Sequence, residues 1–274
     1  MSNMAVHDNT PRQRLVIRTS RYWFAFAIQN IDEPNMPVNF TLYSSKPTMS
    51  VAANLREAFK TLDILNSKFS KVVVMVDEPL LTVPLDLYNE SEAAVLYAHS
   101  FPDSTNASVM ANIIDDLNVA MIFGISKDLQ TVINDRFGET IIFHASTPVW
   151  RNLFHRSFLG SRNKLYAYFH AHQRMELVSY GTKRFKYCNV FDTSNAHDAL
   201  YFILSVWRQL SMQENHDELH LVGDIPEVQW LEAELKSYLK RVYTINPSSD
   251  FNRSPITKIK EMPYDMMTYF IKGR

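Results

Sequence analysis

The chain has 274 residues, of which 46% are hydrophobic, and its 28 basic and 29 acidic residues leave a formal net charge of -1. This length and composition suit one large globular domain or two ordinary ones. A chain with almost no net charge has no overall field that would attract nucleic acid or an anionic membrane. We therefore expect no nucleic-acid partner.

The N-terminal segment MSNMAVHDNTPRQR lacks the apolar core of a secretory signal. No apolar run approaches the roughly 18 residues that a membrane span requires. The single cysteine, Cys188, has no partner for an internal disulfide, which suits a reducing compartment. These features predict a cytoplasmic protein without a transmembrane segment.

The first strands follow a tail over residues 1–13, which we interpret as flexible. RLVIRTSRYWFAFAI predicts a hairpin with its turn at residues 19–21, and VNFTLYS predicts a third strand. Ser50 is placed to cap a helix, because apolar residues recur after it at helical spacing. The buried strand KVVVMV completes this set.

The segment between the fourth strand and residue 160 is less regular. SEAAVLYAHS predicts a helix, ASVMANIID fits a helix or a strand, and VAMIFGI and TIIFH predict strands. Ser126 is predicted to cap a helix that stops at Gly138, and Thr147-Pro148 to open a helix that ends by Gly160. We interpret most of this segment as an insertion into a first unit.

The pattern restarts after residue 160. Strands are predicted over 165–170, 175–179 and 183–191, followed by a helix in SNAHDALYFILSVWRQLSM and a strand in LHLVG. A further helix is predicted to bury Val228, Leu231, Leu235 and Tyr238. Both halves therefore have the order strand, strand, strand, helix, strand.

Both fourth strands also end in an Asp with a Pro two residues later, Asp77 with Pro79 and Asp224 with Pro226. Two copies of a three-strand meander, a helix and a strand describe the duplicated ribonuclease H-like unit of actin-like ATPases. We predict an α/β fold of two such units, with mixed sheets flanked by helices. The first unit spans 14–160, including the insertion, and the second spans 161–274.

Five segments carry a resemblance to a known family: NVAMIFGISKDL, TIIFHASTPVW, KLYAYFHAHQRMELVSY, LHLVGDIP and DFNRSPITKIKEMPYD. They resemble an uncharacterised family found in Bacteroidetes, for which an actin-like ATPase fold has been reported. The resemblance covers most of the chain after the tail and implies the fold, without an activity or site residues. A more distant similarity to actin-like proteins of bacterial cell division and pilus assembly implies recruitment of partners at membranes.

Actin-like ATPases hold the phosphates of ATP with the first turn of each unit, through an Asp-x-Gly pattern in which Asp organises magnesium and water. The chain has six glycines, and none has an Asp two residues before it. The corresponding turns carry bases instead. Arg21, His172 and Arg174 are the candidates there for contact with phosphate. The alternative is that both turns are ordinary solvent-facing hairpins.

The adenosine-side motif of these ATPases is a strand followed by Gly-Gly. Here the strand is followed by Gly223 and Asp224, so one glycine of the motif remains. Both residues are candidates for nucleotide contact. The alternative for Asp224 is that it caps the helix that follows.

A ribonuclease H-like nuclease needs clustered carboxylates, one of them on the first strand, to hold two metal ions. The first strands, RLVIR and KLYAYF, contain no acid. His170 and His172 fall on one face of a strand, but no third ligand follows at a recognisable spacing. We predict no metal site and no nuclease activity.

Two hypotheses follow. In the first, the chain is a degenerate actin-like protein that has lost the phosphate turns, needs no cofactor, has no enzymatic activity and serves protein partners as a binding or scaffolding module. In the second, it is a nucleotide-binding actin-like ATPase that holds ATP and magnesium by atypical contacts in the interdomain cleft, using Arg21, His172, Arg174, Gly223 and Asp224.

Overall fold

A computed structural model describes residues 12–33, 37–158, 160–171, 174–181 and 184–273. The chain separates into two compact units. The first comprises the described residues up to Glu78 together with Asn106–Ser108 and Ile125–Phe143. The second comprises Pro79–Thr105, Val109–Gly124 and the described residues from His144 onward. Most of the segment interpreted as an insertion is therefore grouped with the second unit; the repeat boundary at residue 160 stays a prediction.

The described residues form thirteen strands and eight α-helices. The strands are β1 (Gln13–Thr19), β2 (Trp23–Asn30), β3 (Asn39–Ser44), β4 (Lys71–Val76), β5 (Leu80–Pro84), β6 (Ala107–Ile114), β7 (Val119–Ser126), β8 (Ile141–His144), β9 (Lys164–His170), β10 (Arg174–Gly181), β11 (Arg184–Asp192), β12 (Glu218–Gly223) and β13 (Val242–Thr244). The helices are α1 (Val51–Thr61), α2 (Glu90–Ser100), α3 (Lys127–Phe137), α4 (Ser146–Ser157), α5 (Ala196–Gln209), α6 (Val228–Tyr238), α7 (Pro247–Asp250) and α8 (Tyr264–Lys272).

Two of the sheets have five strands and the same internal order. The first sheet runs β3-β2-β1-β4-β8 and the second runs β11-β10-β9-β12-β13. In each, the first strand of the meander pairs antiparallel with the second and parallel with the fourth. The predicted order of three strands, a helix and a strand is confirmed in both halves of the chain.

Strands β1, β2 and β9 are apolar because they lie in the core of their own unit. Leu15, Val16 and Ile17 of β1 are fully buried, and so is most of β2. In the second unit, Ala199, Ile203, Val206 and Trp207 of α5 belong to the same buried core as Leu165, Ala167 and Leu177 of the sheet. Burial of this many apolar side chains is the main term that stabilises both sheets.

The helix ends follow the predicted capping chemistry in the first unit. The Ser50 hydroxyl accepts a hydrogen bond from the Ala53 amide at 3.2 Å, and the Ser126 hydroxyl accepts one from the Leu129 amide at 3.4 Å. Gly138 ends α3 with φ at 69°, the left-handed region that glycine adopts without strain. Of the residues predicted to be buried in α6, Leu231 and Leu235 are buried, whereas Val228 is only partly buried and Tyr238 is 51% exposed, because the helix presents only a narrow stripe to the core.

A third sheet has the order β5-β7-β6 and settles the ambiguous segment ASVMANIID as strand β6. Beside it in the chain lies α2, which buries only Ala93 and Tyr97. The Tyr97 hydroxyl donates to the Pro79 carbonyl at 3.0 Å and ties the helix to the start of β5. No helix in the described ranges is long and apolar enough to cross a membrane.

Candidate functional site

The first turn of each meander is the natural place to look for a site, and the strand registers relate the two turns. Thr19 lies opposite Val76 across β1 and β4, and Phe169 lies opposite Gly223 across β9 and β12. The amide that follows each fourth strand donates to the matching carbonyl at 3.0 Å, Asp77 to Thr19 and Asp224 to Phe169. Thr19 and Phe169 are therefore equivalent positions, one in each unit.

The turn of the first unit uses its own polar groups. The Ser20 amide donates to the Trp23 carbonyl at 3.1 Å, and the Ser20 hydroxyl donates to the same carbonyl at 2.8 Å. The Trp23 amide in turn donates to the Ser20 hydroxyl oxygen at 3.3 Å. A phosphate turn aims backbone amides at the anion, whereas these two amides close the hairpin.

Arg21, a predicted phosphate contact, lies at the tip of this turn. It is exposed, and its guanidinium carbon is 5.9 Å from the centre of the exposed Tyr22 ring. The buried arginine near this turn is Arg18 of β1, one residue before Thr19. Arg21 therefore keeps the geometry of a surface residue.

Arg18 and Asp77 form a buried ion pair beneath this turn. Arg18 Nη2 lies 2.7 Å from Asp77 Oδ2, and the two side chains are 1% and 7% exposed. The guanidinium also lies 4.4 Å from the centre of the Trp23 ring, an arrangement that favours the cation. The pair links the ends of β1 and β4, and each of its two charges is neutralised within the unit.

The second unit has a larger buried group, which we call the Glu176 cluster: Ser146, Trp150, His170, Arg174 and Glu176. The Ser146 hydroxyl donates to Glu176 Oε1 at 2.6 Å and the Trp150 indole donates to Glu176 Oε2 at 2.9 Å. His170 Nε2 lies 2.9 Å from Glu176 Oε1. Glu176 and His170 are fully buried. The carboxylate thus sits among donors from α4, β9 and β10.

The electrostatics of the cluster favour an ionised Glu176. Burial alone raises the pKa of a carboxyl group, because the charged form loses its hydration. The adjacent His170, with further help from Arg174, outweighs burial and lowers the Glu176 pKa to about 2. Glu176 is therefore a buried anion whose hydrogen-bonding capacity is directed inward, at its own unit.

Arg174, the second predicted phosphate contact, belongs to this cluster. Its Nη2 atom lies 3.3 Å from His170 Nδ1 and 3.9 Å from Glu176 Oε1, and its side chain is 19% exposed. His172, predicted with it, lies outside the described residues. Whether either residue meets a phosphate stays a prediction; the described contacts of Arg174 are with the buried acid and histidine.

Gly223 and Asp224 follow β12, and the structure gives each a role within the fold. Gly223 has φ at +94°, and a Cβ there would lie 2.1 Å from the Phe169 carbonyl oxygen. The glycine therefore permits the close approach of β12 to β9. Asp224 is exposed, and the prediction that it caps the following helix is wrong: α6 begins after Glu227 and has no side-chain cap.

The buried partners of Asp77 and Glu176 were not predicted from the sequence. The signal was a charge inside an apolar strand, Arg18 in RLVIR and Glu176 in RMELV, since a charge there needs a buried counter-charge. Across the described part of the chain, no group of three or more His, Cys, Asp or Glu residues is arranged to hold a metal ion.

Two five-stranded sheets with one strand order, each with helices against it, define the class of protein. The structure is similar to the crystal structure of a protein from Bacteroides thetaiotaomicron VPI-5482 described as having an actin-like ATPase fold and unknown function. The TM-score is 0.82 at 28% identity, with 97% of this chain and 98% of that chain covered. The protein thus has the actin-like ATPase fold that its sequence predicted.

The family can be stated as well. Residues 3–242 match the family described as "Protein of unknown function (DUF3822)", and the chain belongs to it. Among the curated proteins, none matches this chain.

A second solved structure, the PilM–PilN type IV pilus biogenesis complex, is similar at a TM-score of 0.57 and 11% identity, with 94% of this chain and 97% of that chain covered. At this identity the similarity concerns the fold.

Proposed function

We propose that the protein is a degenerate actin-like protein, a binding or scaffolding module that works in the cytoplasm on protein partners without hydrolysing ATP. The observation that carries the proposal is the use of polar groups at the first turns. The Ser20 and Trp23 amides close their own hairpin, and Arg174 lies against Glu176 and His170. A phosphate grip needs such groups free to face the ligand.

The same reasoning applies to the magnesium ion that accompanies ATP. Mg²⁺ keeps an octahedral shell and takes one or two protein carboxylates. Asp77 is neutralised by Arg18, and Glu176 accepts from Ser146 and Trp150. Neither first turn offers a free carboxylate in the Asp-x-Gly pattern, which supports a protein that does without the ion.

The internal repeat supports a history in which two ancestral units kept their sheets and lost their ligand chemistry. Both sheets retain one strand order and one backbone hydrogen bond at the end of the fourth strand. The occurrence of this fold in a PilM–PilN complex is consistent with a fold that takes protein partners. Partner binding by this chain rests on that analogy of fold.

The test is whether Mg-ATP stabilises the protein. A ligand present at about 100 times its dissociation constant adds about 2.7 kcal/mol to the free energy of unfolding. For a chain of this size each 1 kcal/mol raises the melting temperature by about 2 to 4 °C, so the rise would be about 5 to 11 °C. We expect no change in the melting temperature with ATP and magnesium, and no retention of labelled ATP in equilibrium dialysis.

A clear rise in melting temperature would overturn the proposal in favour of the ATP-binding hypothesis. Two variants then locate the site, Arg174→Ala and Arg21→Ala, each compared with and without ATP so that its own effect on stability cancels. Loss of the ATP-dependent rise in either variant would assign that turn to phosphate, and retention in both would direct the search to Gly223 and Asp224.

A further inference from the structure

Helix α2 is the least covered helix of eight or more residues that the structure describes. Of its eleven residues only Ala93 and Tyr97 are buried. Val95 is 58% exposed and Leu96 is 37% exposed. Ala94, Val95, Ala98 and His99 line an open depression on the helix. Because these four residues are spaced i, i+1, i+4 and i+5, they form one continuous face.

The apolar face lies in a part of the chain with a strong bias of charge. Between Lys71 and Lys127 there is no Lys or Arg, whereas there are eight acidic residues. Near α2 these include the exposed residues Asp86, Glu90, Glu92 and Asp103. The chain as a whole is almost neutral, so this segment differs sharply from its surroundings.

Capping accounts for part of this charge without removing it. Glu92 accepts a hydrogen bond from the Asn89 side chain at 3.2 Å, and acids in the first turn of a helix suit the helix dipole. The carboxylates nevertheless remain exposed, and no Lys or Arg lies nearby in sequence to neutralise them. Glu90 is four residues before Ala94 and Glu92 is three before Val95 on the same helix, so these two exposed acids lie beside the apolar face.

We propose that the α2 face, defined as Ala94, Val95, Ala98 and His99 with the neighbouring acids Glu90 and Glu92, binds a basic amphipathic helix of a protein partner. Apolar side chains of that helix would cover Val95 and the two alanines, and its Lys or Arg residues would face the acids. The inference rests on the proposed function, because it specifies the chemistry of the protein partner that the proposed function requires.

Charge selects this occupant over the other surfaces that an apolar face can meet. A second copy of the chain packed face to face would bring the same acids together, and nucleic acid or an anionic membrane would be repelled. Exposed apolar residues scattered singly need no explanation, but a continuous apolar face is typical of an interaction site.

The test uses a labelled amphipathic peptide of about five helical turns, with Leu on one face and Lys on the other. Its binding to the full chain is measured by fluorescence anisotropy, beside a matched peptide with Glu in place of Lys. We expect the Leu–Lys peptide to bind, with an affinity that falls as salt is raised, and the Leu–Glu peptide not to bind.

Variants locate the binding on α2. Val95→Arg should weaken binding of the Leu–Lys peptide by at least about tenfold. The substitution replaces an apolar side chain that the peptide would cover with a positive charge that repels the peptide lysines. Glu90→Lys with Glu92→Lys should weaken it and reduce the salt dependence. The matched control is Tyr201→Arg, which places the same charge at a residue of α5 that is 67% exposed, and it should leave the affinity unchanged.

Several results would overturn the inference: absence of binding, equal binding of the two peptides, or equal loss in Val95→Arg and Tyr201→Arg. A wild-type dimer in light scattering that Val95→Arg converts to monomer would assign the face to a second copy instead. Failure of the proposed function is read separately. Binding of ATP would overturn the degenerate-ATPase proposal while leaving the peptide result standing, and loss of peptide binding without ATP binding would overturn only the inference about α2.

Discussion

The two five-stranded sheets agree in backbone and differ in charge. Thr19 and Phe169 accept the same hydrogen bond, from Asp77 and Asp224. One residue earlier, the first unit has Arg18, which is paired with Asp77, and the second has Tyr168, whose hydroxyl donates to Asp265 at 3.2 Å. Strand pairing fixes the path of the backbone, whereas the polar contacts at the end of each sheet come from different side chains: an ion pair in the first unit and a tyrosine–carboxylate hydrogen bond in the second.

The second difference concerns the buried acid. In the first unit the acid follows the fourth strand and pairs across to the first strand. In the second unit the residue after the fourth strand, Asp224, is exposed, and a buried acid, Glu176, lies instead on the second strand of the meander. In each unit the buried carboxylate lies where nearby side chains provide hydrogen-bond donors or an opposite charge. The comparison predicts which substitutions destabilise each unit most.

The largest effect is expected at Gly223. Gly223→Ala would place a Cβ 2.1 Å from the Phe169 carbonyl oxygen in a left-handed backbone conformation. Backbone strain and overpacking together should lower the free energy of unfolding by about 4 kcal/mol, measured by urea denaturation. Gly138→Ala is the control: its φ is +69° but nothing lies within 4 Å, so about 1 kcal/mol is expected. Equal effects at the two glycines would contradict the close-approach explanation.

The ion pair of the first unit should be nearly as sensitive. Asp77→Ala leaves the Arg18 guanidinium buried without its carboxylate and should destabilise by about 3 to 5 kcal/mol. The double variant Arg18→Met with Asp77→Leu removes both charges and should recover most of this loss. Urea denaturation of the single and double variants measures the difference, and an additive loss in the double variant would argue against a coupled pair.

The Glu176 cluster should show its effect through pH. The Glu176 pKa is about 2 in the folded protein, below about 4.3 for an unperturbed glutamate. The ionised carboxylate therefore stabilises the fold at pH values above the pKa of Glu176 in the unfolded chain. This stabilisation is lost as the pH falls through the pKa of Glu176 in the folded protein. Glu176→Gln should destabilise by about 3 kcal/mol at neutral pH.

The pH series separates this charge effect from a packing effect. The difference in unfolding free energy between wild type and Glu176→Gln should shrink as pH falls from about 4.5 toward 2. The first-unit variant Asp77→Ala is measured over the same range for comparison. If the difference in unfolding free energy between wild type and Glu176→Gln does not change with pH, the loss comes from altered packing or hydrogen bonding and not from the missing charge.

The smallest expected effects distinguish the two turns. Arg174→Ala removes a guanidinium that is mostly buried and 3.9 Å from Glu176, and should destabilise by about 1 to 2 kcal/mol. Arg21→Ala, at an exposed turn, should change stability by less than about 0.5 kcal/mol. Thermal denaturation of both variants without nucleotide provides the measurement, and a larger effect at Arg21 would reverse the comparison.

Much of the fold was predictable because its signals are local. Alternation and buried runs located the two meanders, and Ser50, Ser126 and Gly138 marked helix ends whose chemistry is complete within four residues. Strands β5 and β13 were not predicted, since they have only five and three residues and little periodicity. ASVMANIID stayed ambiguous because only its place beside β7 makes it a strand.

The site was less predictable because its contacts are distant in sequence. Ser146 and Trp150 reach Glu176 from 30 and 26 residues earlier, and Arg18 reaches Asp77 from 59 residues away. The sequence contains no Asp-x-Gly turn, but it did not indicate that Arg174 would lie near the buried carboxylate of Glu176. The prediction that Asp224 caps a helix failed because α6 begins three residues later than a cap there requires.

Helix α2 buries only Ala93 and Tyr97, and Tyr97 also donates a hydrogen bond to Pro79; this small buried surface has a consequence for local unfolding. With so little buried surface, it can open without disturbing the two large sheets, so its amide protons should exchange with solvent long before those of β1 or β9. A partner that covers the helix would slow that exchange. Because α2 buries so few residues, a bound partner would contribute a large share of the free energy that keeps this helix folded.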